Sequence, residues 1–170
     1  DSFKGKVYNG KKFEGDILGW RNPQIKSGVK MADAVYGEKV DLLKDGLNGW
    51  KDFGGGKKFG WKFKDGVLSN LIGKNKKGRW AGGGVNLCTK RNDFYDFKLE
   101  YDVRVPEKSN SGVYLRGRYE VQVLDSYNKK PDCHNMAALY GRITPSKSVE
   151  KKPSEWQHVS ITLYKRHITV

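Results

Sequence analysis

The sequence predicts an all-β fold, an antiparallel sandwich of short strands, on three observations. Apolar and polar residues alternate with a period of two in several segments, most clearly over residues 97–105. Turn signals rich in glycine, asparagine and aspartate separate these segments. The period of a helix is almost absent, and residues 31–35 are long enough for only one helical turn. Such a series of strands and turns is typical of two stacked antiparallel sheets.

The N-terminal segment is predicted to be separate from the main domain. Residues 1–22 contain two strand-like pieces around Asn9-Gly10, a strong hairpin signal, and are interpreted as a β-hairpin that ends an upstream domain. Residues 23–38 contain one proline and two glycines among mixed polar residues, which predicts a linker. The main domain is then expected over residues 39–170.

The main domain is predicted to be a succession of short strands. Phe97–Val105 is the clearest, with one apolar and one charged face, and Pro106 ends it. The final strand has no turn or further strand after it, and a sheet edge needs a partner or protection. We therefore expect the sandwich to be incomplete, with its C-terminal strands missing from this chain. Strands are predicted at 60–64, 67–72, 85–89, 97–105, 136–143, 156–164 and 167–170, and a glycine- and lysine-rich loop at 53–60.

Ser109–Ser126 is predicted to be a central β-hairpin. Valine and leucine occupy one face, because successive strand side chains point to opposite sides. The other face is expected to carry an aromatic ring, a forked cation, a carboxylate and an amide, a set that suits sugar recognition. The alternative is an ordinary polar face with a chance arginine–glutamate pair. The four residues are Tyr114, Arg116, Glu120 and Gln122.

Composition excludes some classes of protein. The chain has 33 Lys+Arg against 19 Asp+Glu, a net charge of +14, but its lysine doublets are scattered beside turn residues. Because no basic helix or nucleic-acid module is recognisable, we expect weak nonspecific binding of polyanions and no specific nucleic-acid partner. No apolar run is long enough to span a bilayer. Cys88 and Cys133 lack metal-type spacing and are either paired or free.

The hairpin sequence NSGVYLRGRYEVQVLDS resembles the signature of the 3-keto-disaccharide hydrolase family. The flanking segments occur in the family's order, and the resemblance covers about residues 40 to 170. These segments are DGLNGW at 45–50, WKFKDGVL at 61–68, NLCTK at 86–90, YDFKLEY at 95–101, ALYG at 138–141, and the strand that begins at Glu155-Trp156.

The resemblance implies a concanavalin A-like jelly roll in which sugars lie across a concave sheet. It also implies an exported, periplasmic or extracellular hydrolase that acts on oxidised glycosides. The C2 proton of a 3-keto sugar is acidic because its loss gives an enolate. A base can remove it, the aglycone leaves from C1, and water then adds. This route needs a base, an acid and a group that stabilises the enolate oxygen.

Candidate site residues follow from the hairpin and the resemblance together. Glu120 and His134 are expected to be the base and the acid in either order, and Arg116 to stabilise the enolate through its permanent charge. No cofactor is predicted; a divalent metal held by Glu120, His134 and a neighbour is an alternative electrophile. The expected sugar-binding residues are Tyr114, Gln122, Asp125 and Tyr140. Structural alternatives remain: a solvated loop for His134, the core for Tyr140 and a turn cap for Asp125.

Two other kinds of function stay open. A glycosidase with two carboxylates is poorly supported, because Gln122 stands where β-glucanases of similar fold have another acid. A non-catalytic carbohydrate-binding module would use exposed tryptophans as stacking surfaces, with Trp50, Trp61 and Trp80 as candidates. A basic interaction domain would bind polyanions in a salt-dependent way.

Overall fold

The computed structural model describes residues 2–9, 12–20, 30, 33–70, 76 and 84–170. The chain divides into two compact units, Asp1–Lys30 and Met31–Val170. In the first unit, β1 (Ser2–Asn9) and β2 (Lys12–Trp20) form an antiparallel hairpin. Gly10, in the expected turn, lies outside the described residues, as do residues 23–29, 31 and 32 of the expected linker.

The second unit is built from nine strands among its described residues, which confirms the predicted all-β fold and agrees with a jelly-roll sandwich. A short 3₁₀ helix, Gly46–Gly49, precedes the first of these strands. The strands are β3 (Trp50–Gly55), β4 (Trp61–Lys64), β5 (Val67–Asn70), β6 (Val85–Thr89), β7 (Phe97–Arg104), β8 (Asn110–Leu115), β9 (Tyr119–Leu124), β10 (Trp156–Tyr164) and β11 (His167–Thr169).

All pairs of named strands are antiparallel. β10 is the centre of a three-stranded sheet between β7 and β11, and β8 pairs with β9. Two further ladders join β3 to β6 and β4 to β5. Asp65 and Gly66, which link β4 to β5, both have positive φ, as a two-residue hairpin turn requires. The Asp-Gly signal in the sequence therefore predicted this turn correctly.

The hydrophobic core lies between the β7–β10–β11 sheet and the β8–β9 hairpin. The sheet contributes the buried Val159, Ile161 and Leu163, and the hairpin contributes Leu115 and Val121. These residues occupy alternate positions of their strands, so each strand turns one apolar face inward. The opposite faces of the two layers are therefore free to carry polar groups.

Two segments differ from the pattern-based prediction. Residues 53–55 belong to β3 rather than to a loop, because backbone pairing with β6 overrides their glycine content. Residues 136–143, predicted to contain a strand, form turns with isolated bridges from Leu139 to Val121 and to Ile143. No helix in the described part of the chain is long and apolar enough to cross a membrane.

Candidate active site

The outward face of the β8–β9 hairpin carries a carboxylate beside a tyrosine. The register places Tyr114 opposite Glu120 and Gly112 opposite Gln122. A Cβ atom on Gly112 would overlap the Glu120 carboxyl group. The Glu120 side chain therefore lies across β8 in a space that only glycine leaves open, which explains the glycine in this part of the hairpin sequence.

Tyr114 and Glu120 interact across the two strands. Tyr114 is 57% exposed, whereas Glu120 is half-buried. Hydrogen bonding to the Glu120 carboxylate raises the pKa of Tyr114, with smaller contributions from desolvation and from the charge of Glu120. The phenol is therefore a hydrogen-bond donor to the carboxylate.

Residues 137–140 lie along the other edge of β9. Main-chain N–H groups of Ala137 and Tyr140 donate to the carbonyl oxygens of Gln122 and Glu120, both at 2.9 Å. The Gln122 side chain is buried beneath this loop, only 2% exposed, and its Nε2 donates to the His134 carbonyl oxygen at 3.1 Å. Strand alternation predicted an exposed Gln122 side chain. That prediction is wrong, because the loop covers this position of β9.

His134 lies in the same loop and is held by Asp132. The Asp132 carboxylate accepts hydrogen bonds at Oδ1 from the His134 main-chain N–H at 2.9 Å and from ring Nδ1 at 2.7 Å. The main-chain hydrogen bond from His134 and the ring contact lower the pKa of Asp132. The His134 ring also meets the Tyr140 ring edge to face, with centroids 5.1 Å apart. The loop thus places an imidazole and a second tyrosine beside the hairpin.

Cys133 adds a thiol to this loop. Its Sγ lies 3.5 Å from Nδ1 of His134, and one ligand atom each of Asp132, Cys133 and His134 lie within 4.8 Å of one another. Carboxylate, thiolate and imidazole are the ligands that Zn²⁺ takes in proteins. Glu120, which the alternative metal site was to include together with His134, is not in this group. Cys88 and Cys133 are both free thiols, which settles the question that the sequence left open.

A buried serine anchors the start of the loop. Ser126 is fully buried, its hydroxyl donates to Oε1 of Glu150 at 2.6 Å, and it accepts from the Met136 main-chain N–H at 3.0 Å. Buried hydrogen bonds of this kind are costly to break because their groups have no access to water. The loop that carries His134 and Tyr140 is therefore tied both to β9 and to the segment around Glu150.

Arg116 and Asp125 are placed differently from the other candidates. β8 ends at Leu115, and Arg116 enters the turn with φ 50°, its Nη2 3.5 Å from the Lys165 carbonyl oxygen. The cross-strand partner of Glu120 is consequently Tyr114 and not Arg116. Asp125 accepts a hydrogen bond from the Lys108 main-chain N–H at 2.7 Å and so fastens the loop before β8. The site roles of Arg116 and Asp125 stay predictions.

The tryptophans expected as stacking surfaces have structural contacts. Trp50 is half-buried and its Nε1 donates to the Leu42 carbonyl oxygen at 3.1 Å. Trp61 is also half-buried, and its Nε1 donates to the carbonyl oxygen of Val85 at 2.6 Å. Trp80 lies outside the described residues. The exposed aromatic rings beside the site are instead those of Tyr114 and Tyr140, 57% and 46% exposed.

Asp132 is the site residue that sequence reasoning missed. An aspartate two residues before a histidine in a turn-rich segment is a signal for an Asx turn, in which the carboxylate accepts a main-chain N–H. The Asp-Cys-His order at 132–134 carries that signal. Nothing in the local sequence, however, indicates that the loop folds back against β9.

A family model for the 3-keto-alpha-glucoside-1,2-lyase-like domain matches residues 39–170. The chain belongs to this family. The result confirms the resemblance carried by the hairpin sequence and its flanking segments. No significant match was found among curated proteins or solved structures. The name of the 3-keto-alpha-glucoside-1,2-lyase-like family indicates an enzyme that acts on glycosides, with a sugar as its substrate.

Proposed function

We propose that this protein cleaves 3-keto-glycosides by elimination followed by hydration. A base removes the C2 proton, the enolate expels the aglycone oxygen from C1, and an acid protonates that oxygen as the C1–O bond breaks. Water then adds across the C1–C2 double bond, with its oxygen on C1 and a proton returned to C2. The sum is hydrolysis of the glycosidic bond without a net change in oxidation state.

The observation that carries this proposal is the position of Glu120. Its half-buried carboxylate lies in the space above Gly112, beside the Tyr114 hydroxyl, on a face that Tyr140 and the His134 loop border. A fixed carboxylate next to a stacking surface for a sugar ring is the arrangement that proton abstraction at C2 needs. We assign Glu120 as the base and His134 as the acid that protonates the leaving oxygen.

The neighbouring carboxylates favour this route over ordinary glycoside hydrolysis. Retaining and inverting glycosidases need two carboxyl groups that face the scissile bond. Here Asp132 is engaged by His134 and Asp125 by the Lys108 main chain. Glu120 therefore acts with an imidazole rather than with a second acid in the proposed reaction.

Arg116 stays the proposed partner of the enolate oxygen. Its contact with the Lys165 carbonyl oxygen, at 3.5 Å, is at the outer limit of a hydrogen bond and adds little restraint. The permanent charge and forked donors of the guanidinium suit an oxygen that gains negative charge. A divalent ion at Asp132, Cys133 and His134 is the competing electrophile, favoured by the ligand distances in that loop.

A non-catalytic carbohydrate-binding module is the second candidate function. The exposure of both Tyr114 and Tyr140 favours it, because two open aromatic rings are a stacking surface for sugars with or without chemistry. Such a module would bind unoxidised and oxidised glycosides alike and would turn over neither.

The test is aglycone release from a 3-keto-glucoside and from its unoxidised parent, each with and without a chelator. We expect release from the keto substrate alone, and the same rate after chelation, since the proposed base and acid are side chains. Binding of both sugars without release would support the binding module. A rate that is lost with the chelator and restored by Zn²⁺ would assign the electrophile to a metal.

A further inference from the structure

The His134 ring is 54% exposed and is oriented by its contacts with Asp132 and Tyr140. Asp132 binds both its main-chain N–H and its ring Nδ1, at 2.9 and 2.7 Å. The buried Gln122 side chain donates to its carbonyl oxygen, and the Tyr140 ring packs against the imidazole. The single carboxylate thus binds both the main chain and the ring of the same residue, which favours one ring orientation.

The contact at Nδ1 determines which ring nitrogen can transfer a proton. An ionised carboxylate is only an acceptor, so Nδ1 must carry the hydrogen that it receives. The neutral ring then has its lone pair at Nε2, and proton transfer takes place at Nε2. The 2.7 Å contact between Nδ1 and Oδ1 of Asp132 is the geometric basis of this assignment.

We propose that Asp132 is a positioning residue that fixes the Nδ1–H tautomer of His134 and directs Nε2 to the glycosidic oxygen. This inference rests on the proposed function. In the imidazolium form, Nε2 gives its proton to the aglycone oxygen as the C1–O bond breaks, and the neutral Nδ1–H ring that results takes a proton at Nε2 from the water that adds to C1. Glu120 returns to C2 the proton that it removed. Asp132 itself exchanges no proton and touches no substrate.

The chain contains a matched control pair. Asp102 and His158 face each other across β7 and β10 with an Nδ1–Oδ1 distance of 2.9 Å. Both side chains are well exposed on the outward face of the other sheet, at 68% and 59%. Asp102→Asn therefore removes the same type of contact, with the same change in charge, away from the proposed site.

The experiment compares two leaving groups. We expect Asp132→Asn to lower kcat on a methyl 3-keto-glucoside by about 10- to 100-fold at nearly constant KM, because the poor leaving group needs protonation. On the 4-nitrophenyl 3-keto-glucoside, whose phenolate leaves without help, the loss should be no more than about 3-fold. Asp102→Asn should leave both rates unchanged. Equal losses on the two substrates, or an equal effect of Asp102→Asn, would overturn the proposal.

Nitrogen-15 NMR of the wild-type imidazoles tests the tautomer without any variant. We expect a protonated, pyrrole-type Nδ1 and an unprotonated Nε2 for neutral His134, assigned by comparison with His134→Gln. A neutral ring with the proton on Nε2 contradicts the inference even if Asp132→Asn fails to fold. If the wild type releases no aglycone from either keto substrate, the proposed function fails, while the spectrum still decides the role of Asp132.

Discussion

The two outward faces of the sandwich carry similar residues in different surroundings. On the β7–β10 face, Lys98 pairs with Glu100 at 2.7 Å and Asp102 with His158 at 2.9 Å, and all four side chains are at least 40% exposed. On the hairpin face, Asp132 and His134 belong to a loop that pairs with β9, and their side chains are 57% and 54% exposed. Each face has a carboxylate–imidazole pair, but only on the hairpin face does a buried side chain, that of Gln122, also hold the main chain of the histidine.

The difference shows that residue type alone does not define a site. Exposed ion pairs on a sheet contribute little to stability and leave their side chains mobile. A carboxylate that packs over glycine, and an imidazole whose main chain and ring both bind one aspartate, are better oriented for a substrate than a simple exposed pair. Glu100 on the β7–β10 face and Gly37 outside both faces are therefore suitable control positions for substitutions on the hairpin face.

The largest expected effect is that of Glu120→Gln. Removal of the base should lower kcat on a 3-keto-glucoside by about 1,000-fold or more, with folding intact because the amide has nearly the same shape. Glu100→Gln on the other sheet is the control and should retain full activity. Steady-state kinetics and thermal unfolding check both variants, and full turnover by the Glu120 variant would remove it from the assigned role.

Gly112→Ala tests whether the position of the Glu120 carboxylate above residue 112 is important for catalysis. The new Cβ would meet the end of the flexible Glu120 side chain, so the carboxylate moves and the backbone does not. We expect kcat to fall by about 10- to 100-fold while the free energy of unfolding changes by less than about 1 kcal/mol. Gly37→Ala is the control, because a Cβ there meets nothing within 4 Å. Wild-type kinetics in Gly112→Ala would show that the position of the carboxylate is not critical.

The smallest effect concerns a buried hydroxyl on the inward side of β7. Burial raises the pKa of Tyr101 to about 12, and its OH has no hydrogen-bond partner among the described residues. Because the folded state keeps this proton longer than the unfolded state, stability should be full below about pH 10 and fall as the pH rises toward 12, by about 2–3 kcal/mol.

Tyr101→Phe should abolish this part of the alkaline loss. At neutral pH it should also stabilise the fold by about 1 kcal/mol, since it removes a buried polar group that forms no hydrogen bond. Chemical denaturation at pH 7 and pH 11 measures both effects. A variant that is less stable than the wild type at pH 7 would reveal a partner for the hydroxyl.

The strands of the second unit were largely predictable from local sequence. Residues 85–89 and 156–164 form β6 and β10 as predicted, and Phe97–Val105 is shortened by one residue. These segments alternate apolar and polar residues, which is the direct consequence of one buried face. Residues 53–55 were not predictable in this way, because their strand depends on a partner strand in which Val85, opposite Gly55, is 30 positions away.

The candidate site was predictable only in part. The shared face of Tyr114 and Glu120 followed from the hairpin pattern, but the pattern paired Glu120 with Arg116, whereas the register pairs it with Tyr114. Gln122 shares that face but is buried, and Arg116 lies beyond the end of β8. The pattern failed for these two because a covering loop and the exact end of a strand are not encoded by alternation.

The sequence by itself determined the all-β class, most strand positions, the hairpin and, through its motifs, the family. Those features depend on periodicity and turn chemistry over a few residues. Only the tertiary structure showed the Asp132–His134 pair at the edge of β9, the buried Gln122 and the seat for Glu120 above Gly112. They require segments distant in the chain to pack together, and the contacts that bring such segments together leave no periodic trace in the sequence.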